Sequence, residues 1–275
     1  MRPLLTLCLA FLAAGPPPAL TADQIARRVQ DRETGRDSRA ELRMKLFDRR
    51  DRSRERALTL LTLRGRQAPG APKSAPDGDR LLIRFTYPND IRGTSFLVWK
   101  HPAAAASPAR EDERFLYLPS LGRVRRIAGS EAQESFVGSD FSYEDIGGRE
   151  LEEFTYTLVD ENAAWTAPDG ASRPAYRLAS TRKDRSAAFP RVVSLILKDS
   201  FVVVQADVFN RREEKQKVYA VRRLGQLQGI WTVLESVMTN DLDKTRTELL
   251  IEKIEYNVGL AEDAFSRRAL EGAAR

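Results

Sequence analysis

From Arg191 to Tyr256 the chain is a succession of runs in which apolar and polar residues alternate, broken by turns too short to hold a helix. Arg191–Lys198 and Phe201–Phe209 flank the turn Asp199-Ser200, and Asn210–Lys215 leads into Lys217–Leu224. Leu227–Gly229 then turns into Ile230–Thr239, and Thr247–Tyr256 closes the series. Period two places alternate side chains on opposite faces of a strand. Connections this short allow only antiparallel neighbours, so the segment folds as a meander.

The first half carries the same signal in shorter pieces. Asp23–Arg36 reads as a helix with a narrow apolar stripe of Ile25, Ala26 and Val29, Thr21 or Asp23 at its start and Gly35 at its end. Leu42, Met44 and Leu46 then alternate with charged neighbours, as do Leu58 and Leu60 in a run ending near Gly65. Three β-rich runs follow, Leu81–Pro88, Ser95–Pro102 and Arg114–Ser120, each closed by proline, as strands are when they stop at a rim. Gln67–Asp79 and His101–Asp112 are small-residue loops. Glu262–Leu270 reads as a last short helix. Ten strands are explicit and as many as twelve fit. The expected fold is mainly β (α+β), a strongly curved antiparallel sheet or incomplete barrel, with residues 23–275 as a single domain.

The N-terminus reads as an export signal. Arg2 precedes an apolar run, Leu4–Ala14, and the Pro-rich turn after it leads to a cleavage position near Ala22, so residues 1–22 are expected to be removed. The run is shorter than the roughly 20 residues of a membrane span. The expected compartment is the periplasm. Cys8, the only cysteine, lies inside the signal, so no disulfide is available to the remainder. Lys and Arg number 45 against 39 Asp and Glu. The excess is clustered at Arg49–Arg56 and Arg123–Arg126, which suits anionic lipid head groups or a solvated face. An exported chain has no nucleic-acid partner.

Catalytic constellations are poorly represented. His101 is the only histidine, which leaves one choice for a Ser-His-Asp triad and too few ligands for a transition-metal site. No glycine-rich phosphate loop runs from a strand into a helix. Asp140, Glu144 and Asp145 are placed for acid–base work, but Ser142-x-x-Asp145 is also a capping box with Gly147-Gly148 as a stop. A short capped helix explains those residues without catalysis. No catalytic residue, metal or cofactor is expected.

Two motifs identify a relationship. Phe136–Gly148 (FVGSDFSYEDIGG), read with Tyr117–Gly129 (YLPSLGRVRRIAG), Phe85–Trp99 and the ending Glu262–Leu270, resembles the outer-membrane lipoprotein-sorting proteins, similar to the LolA/LolB-like superfamily of periplasmic lipoprotein carriers. The resemblance implies helices over the concave face of the sheet and an acyl-chain cavity behind them. It implies a non-enzymatic carrier that moves lipid or lipoprotein acyl chains from the inner towards the outer membrane, between an inner-membrane exporter and an outer-membrane acceptor, as a monomer. On this view Phe85, Phe96, Trp99, Phe115, Tyr117, Phe136, Phe141, Tyr143 and Ile146 contact the chain, and Arg92, Arg123, Arg125 and Arg126 meet head groups or a partner. Carriers of this kind place an arginine before the proline that ends an early strand, as a lid latch. The matching residue here is Tyr87, so that contact is not implied. The alternative is a periplasmic adaptor of an exporter or envelope assembly, using the same fold with a filled core.

Overall fold

The computed structural model describes residues 19–66, 75–101 and 111–272. Most of the expected export signal, with Cys8, and parts of the two small-residue loops lie outside the described residues. The described residues form one sheet of thirteen antiparallel strands. After helix α1 (Ala22–Asp31) come β1 (Asp37–Phe47), β2 (Ser53–Leu63), β3 (Arg80–Tyr87), β4 (Ser95–Trp99), β5 (Glu113–Leu118) and β6 (Arg123–Ile127). A connection containing α2 (Tyr143–Gly147) leads to β7 (Phe154–Thr166), β8 (Ser172–Arg182), β9 (Arg191–Leu197) and β10 (Val203–Phe209). Then follow β11 (Lys215–Leu227), β12 (Ile230–Asn240), β13 (Thr245–Tyr256) and α3 (Arg267–Glu271).

The spatial order is β6-β5-β4-β3-β2-β1-β13-β12-β11-β10-β9-β8-β7. Two meanders are joined where the first strand pairs with the last, Ser38 opposite Tyr256 and Phe47 opposite Arg246. The chain's middle therefore supplies both sheet edges, β6 and β7, and the sheet is not closed. Local chemistry sets the hairpins. Gln228 and Gly229 both have positive φ between the paired Leu227 and Ile230, the two-residue turn whose twist matches that of the flanking strands.

Sequence and structure differ at identifiable points. Helix α1 begins with Thr21 and Gln24 in a reciprocal capping box, but it ends at Asp31, five residues before Arg36. Arg32 is extended, and Gly35, at φ +74°, turns the chain into β1 instead of closing the helix. The sheet has thirteen strands, not ten to twelve. β6 is an arginine-rich edge that reads as a charge cluster. β7 carries an exposed polar centre, Asp160-Glu161-Asn162, and slips register twice against β8, while β8 holds Pro174 near its start. The last helix is split into a 3₁₀ turn, Glu262–Phe265, and α3, which Ser266 caps.

Both faces of the β1–β5 region are packed. One presents Leu42, Met44, Leu58, Ile83, Phe96 and Val98. The other presents Leu82, Leu97 and Phe115 to Phe265 and Leu270 of the C-terminal segment. Each of those two buried side chains contributes about 1.5–3 kcal/mol on leaving water, which fixes the chain's end against the outside of the sheet.

Candidate functional site: an apolar cavity and the segment that crosses it

Ala128–Glu153 connects the two free edges of the sheet and is held at several points along the way. Phe136 is fully buried, with its ring centroid 5.9 Å from that of Phe85, 5.4 Å from Phe96 and 5.5 Å from Tyr143. Val137 and Gly138, with φ of +49° and +76°, turn the chain so that Phe136 N–H meets the Phe141 carbonyl at 2.8 Å. A β-branched residue in the left-handed region is uncommon; here the Val137 carbonyl accepts from Arg56 Nη1 at 2.6 Å. Ser142 then caps α2, its hydroxyl accepting from Asp145 N–H at 3.1 Å while Asp145 Oδ2 accepts from Ser142 N–H at 2.9 Å. The helix ends at Gly148, φ +88°. Gly147 approaches β4 so closely that a Cβ would stand 3.1 Å from Val98 Cγ2.

Beside this segment lies a cavity of about 720 Å³. Leu42, Met44, Leu58, Ile83 and Val98 line it from β1–β4, and Leu178, Val192, Ile196, Ala206 and Val208 from β8–β10. Met238, Leu249 and Ile254 contribute from β12 and β13, Ala26 and Val29 from α1, and Phe136, Phe141 and Ile146 from the crossing segment. Strands β4 and β8 are nine places apart in the sheet order. In a flat sheet that is roughly 43 Å at about 4.8 Å per strand, so the sheet must curl for both to reach one cavity. Ile25 and Ala26 of α1 pack on Leu178 and Ile196 at one side of it.

The acidic residues of the motif are committed to structure. Glu144, buried, accepts from Arg182 Nη2, and Arg182 Nη1 reaches Glu153. Arg149 lies 2.9 Å from Asp145 and 3.7 Å from Glu144. Burial would raise the Asp145 carboxyl, but Arg149 and the Ser142 hydrogen bonds outweigh it and hold the group below its ordinary value. A carboxylate so paired is a poor general acid or base near neutrality. His101 sits elsewhere, Nε2 3.1 Å from Glu113 Oε2.

The residues singled out from the sequence divide into groups. Phe136, Phe141 and Ile146 line the cavity. Phe85, Phe96 and Tyr143 belong to the same apolar layer, stacked around Phe136 and set back from the wall. Trp99, Phe115 and Tyr117 face the opposite side and pack on the C-terminal segment, where Trp99 Nε1 donates to the Phe265 carbonyl at 2.7 Å. Arg92 is exposed in the turn after β3. Arg123, Arg125 and Arg126 are exposed on edge strand β6, with Arg125 2.7 Å from Glu131. None of these four arginines lines the cavity. Conversely, much of the apolar wall is aliphatic, from alternate positions such as Leu58 and Leu60, or Ala206 and Val208. Period two exposes such pairs in sequence, but not which parity turns inward.

Among the described residues no helix is long and apolar enough to cross a membrane. No curated protein matches the chain. A DUF1329 family protein from Desulfovibrio piger superposes with a TM-score of 0.75 at 28% identity, covering 90% of this chain and 97% of that one. A domain from Vibrio parahaemolyticus, described as an outer membrane lipoprotein-sorting protein, superposes with a TM-score of 0.75 at 26% identity, covering 91% and 98%. A LolA superfamily protein from Nitrosomonas europaea, at 14% identity, covers 91% and 100% with a TM-score of 0.65 and shares the fold. A family model described as an uncharacterized protein matches residues 77–272. The chain therefore belongs to that family, and it resembles the outer-membrane lipoprotein-sorting proteins in sequence and in its open antiparallel sheet.

Proposed function

We propose that this protein is a non-enzymatic periplasmic carrier that encloses the acyl part of a lipid or lipoprotein in its cavity and moves it from the inner towards the outer membrane. The observation that carries this reading is the cavity of about 720 Å³ with mainly apolar walls, within the roughly 300–1,000 Å³ range of small-molecule sites. A chain of about fourteen carbons gains on the order of 11 kcal/mol from leaving water, so an aqueous transit needs an enclosed site. Phe136, Phe141 and Ile146 are the motif residues that contact the chain. On this reading α1 and the crossing segment are the cover over the concave face. The crossing segment is bonded to both halves of the sheet through Arg56, Thr247 and Arg182. Helix α1 is held by apolar packing of Ile25, Ala26 and Val29 and by Arg28 over the Phe201 ring, so on this reading it is the element that yields to admit a chain. The description of the Vibrio parahaemolyticus relative supports a sorting role. An inner-membrane exporter and an outer-membrane acceptor are the partners such a carrier needs, and a monomer suffices.

The test is native mass spectrometry with lipid extraction on protein purified from the periplasm without detergent. A stoichiometric lipid or acylated peptide is expected. A clean apo mass, together with no binding of a fluorescent fatty acid, would transfer the assignment to a periplasmic adaptor.

A further inference from the structure

The cavity is not apolar throughout. At the end of the sheet where β1 begins opposite the end of β2, and where β3 begins opposite the end of β4, its wall turns polar. Five cationic side chains and three carboxylates line the cavity as a whole. Four of these eight are matched, Arg149 with Asp145, Glu144 with Arg182, and Arg80 with Glu262 at 3.4 Å, while Lys100 also lines the wall and among the described residues has no carboxylate within 4.0 Å. Arg32, which follows α1, lines the cavity half-buried, and among the described residues it has no carboxylate within 4.0 Å; its Nη1 donates to the Trp231 carbonyl at 3.2 Å. Arg64 lies against it, its Nη1 donating to the Arg32 carbonyl at 3.3 Å and to Thr34 Oγ1 at 3.1 Å. Arg64 Nε is buried without a hydrogen-bond partner, and the nearest carboxylate oxygen, of Asp79, stands 3.6 Å away and already accepts from Gly65 N–H at 2.7 Å.

Two neighbouring arginines that line the cavity, joined through the Arg32 carbonyl, one unmatched by a carboxylate and the other with an orphaned N–H, are costly to retain unless an anion completes them. Burial lowers the Arg32 guanidinium from its ordinary value and the Arg64 cation lowers it further, against the opposing influence of Tyr256 and Tyr219. An incoming negative charge would relieve both. Planar guanidiniums suit phosphate or carboxylate oxygens, which they bind with two parallel N–H donors.

We propose that Arg32 and Arg64 form a seat for an anionic head group, a phosphate or carboxylate borne by the apolar chain that occupies the cavity. The seat rests on the carrier reading and narrows it: the cargo is an anionic amphiphile, oriented with its charged end at the α1–β2 end of the cavity.

Isothermal titration of the full chain with dodecyl phosphate, dodecanol and inorganic phosphate tests this. Dodecyl phosphate should bind at least about tenfold tighter than dodecanol, and that ratio should fall by about tenfold in Arg32→Gln and in Arg64→Gln, as expected for loss of a charge-assisted pair. Arg32→Lys, which keeps the charge, should restore much of it, and it keeps the question open to measurement if Arg64→Gln fails to fold. A wild-type ratio near one, or a ratio unchanged in the variants, would overturn the seat and leave the cavity reading standing. Inorganic phosphate binding as tightly as dodecyl phosphate, with the same arginine dependence, would make this a free-anion site and overturn the head-group assignment. Binding of neither dodecyl compound would overturn the carrier reading itself, and the seat with it.

Discussion

Asp140 and Thr247, 107 residues apart in sequence, hold each other by two hydrogen bonds. Thr247 Oγ1 donates to Asp140 Oδ2 at 2.7 Å, and Asp140 N–H donates to Thr247 Oγ1 at 3.0 Å. Thr245 donates to the other carboxylate oxygen, and Lys217 Nζ to the Asp140 carbonyl at 2.8 Å. Both threonines lie on β13, the strand that pairs with β1, so the middle of the chain is fastened to the seam between its two ends.

Removing that fastening should be costly. Asp140→Ala is expected to lower the unfolding free energy by about 2 kcal/mol, because it removes the carboxylate that accepts from both threonine hydroxyls and leaves Thr245 unpartnered, while Thr247 keeps the main-chain N–H of residue 140; Thr247→Val should cost about 1 kcal/mol. Urea denaturation of both variants measures this. Equal and negligible losses would show that the segment is held elsewhere.

The buried pair Glu144–Arg182 should show the asymmetry typical of enclosed ions. Glu144→Gln leaves Arg182 with Glu153 as its one carboxylate and should destabilise by about 1.5–3 kcal/mol, while Glu144→Leu with Arg182→Met together should recover most of the loss. Urea denaturation measures both, and a double variant no more stable than Glu144→Gln would overturn this reading of the pair.

The two faces of the sheet predict different phenotypes. Phe115→Ala should destabilise by about 3–5 kcal/mol, yet leave fatty-acid probe affinity within about twofold, because Phe115 packs on the C-terminal segment away from the cavity. Met238→Trp, which fills the cavity, should reduce probe affinity by about tenfold or more, the equivalent of at least about 1.4 kcal/mol. Equal probe affinity in both variants would separate binding from the cavity.

The depressed Asp145 carboxyl gives stability a pH dependence of definite sign. Its contribution is fully present above the unfolded value of 3.8 and is lost as pH falls through the lower folded value. Between about pH 5 and about pH 3, wild type should therefore lose more stability than Asp145→Asn. Urea midpoints at both pH values would show it, and parallel losses would mean that other carboxylates dominate.

What could be read without the structure was local in origin. The capping box of Ser142 and Asp145, the stop at Gly147-Gly148, the start of α1 at Thr21 and the turn at Gln228-Gly229 each depend on residues within a few positions of one another. The meander from β9 to β13 followed from alternation and short turns. Strands β7 and β8 were harder to see, because an exposed acidic centre, register slips and Pro174 blur their period.

The sequence by itself therefore determined the class of fold, the order of most strands and the short helix inside the motif, since propensity, capping and turn chemistry act over a few residues. Tertiary structure decided the rest. Phe96 and Trp99 read alike in one strand, yet one packs beneath Phe136 and the other beneath the C-terminal segment, because strand parity acquires meaning only when partners cover each face. That β1 pairs with β13, leaving β6 and β7 as free edges with the motif strung between them, is a contact across more than two hundred residues. The neighbouring placement of Arg32 and Arg64 at the end of the cavity has the same origin, for it depends on where a helix end meets a strand end and on no spacing in the chain.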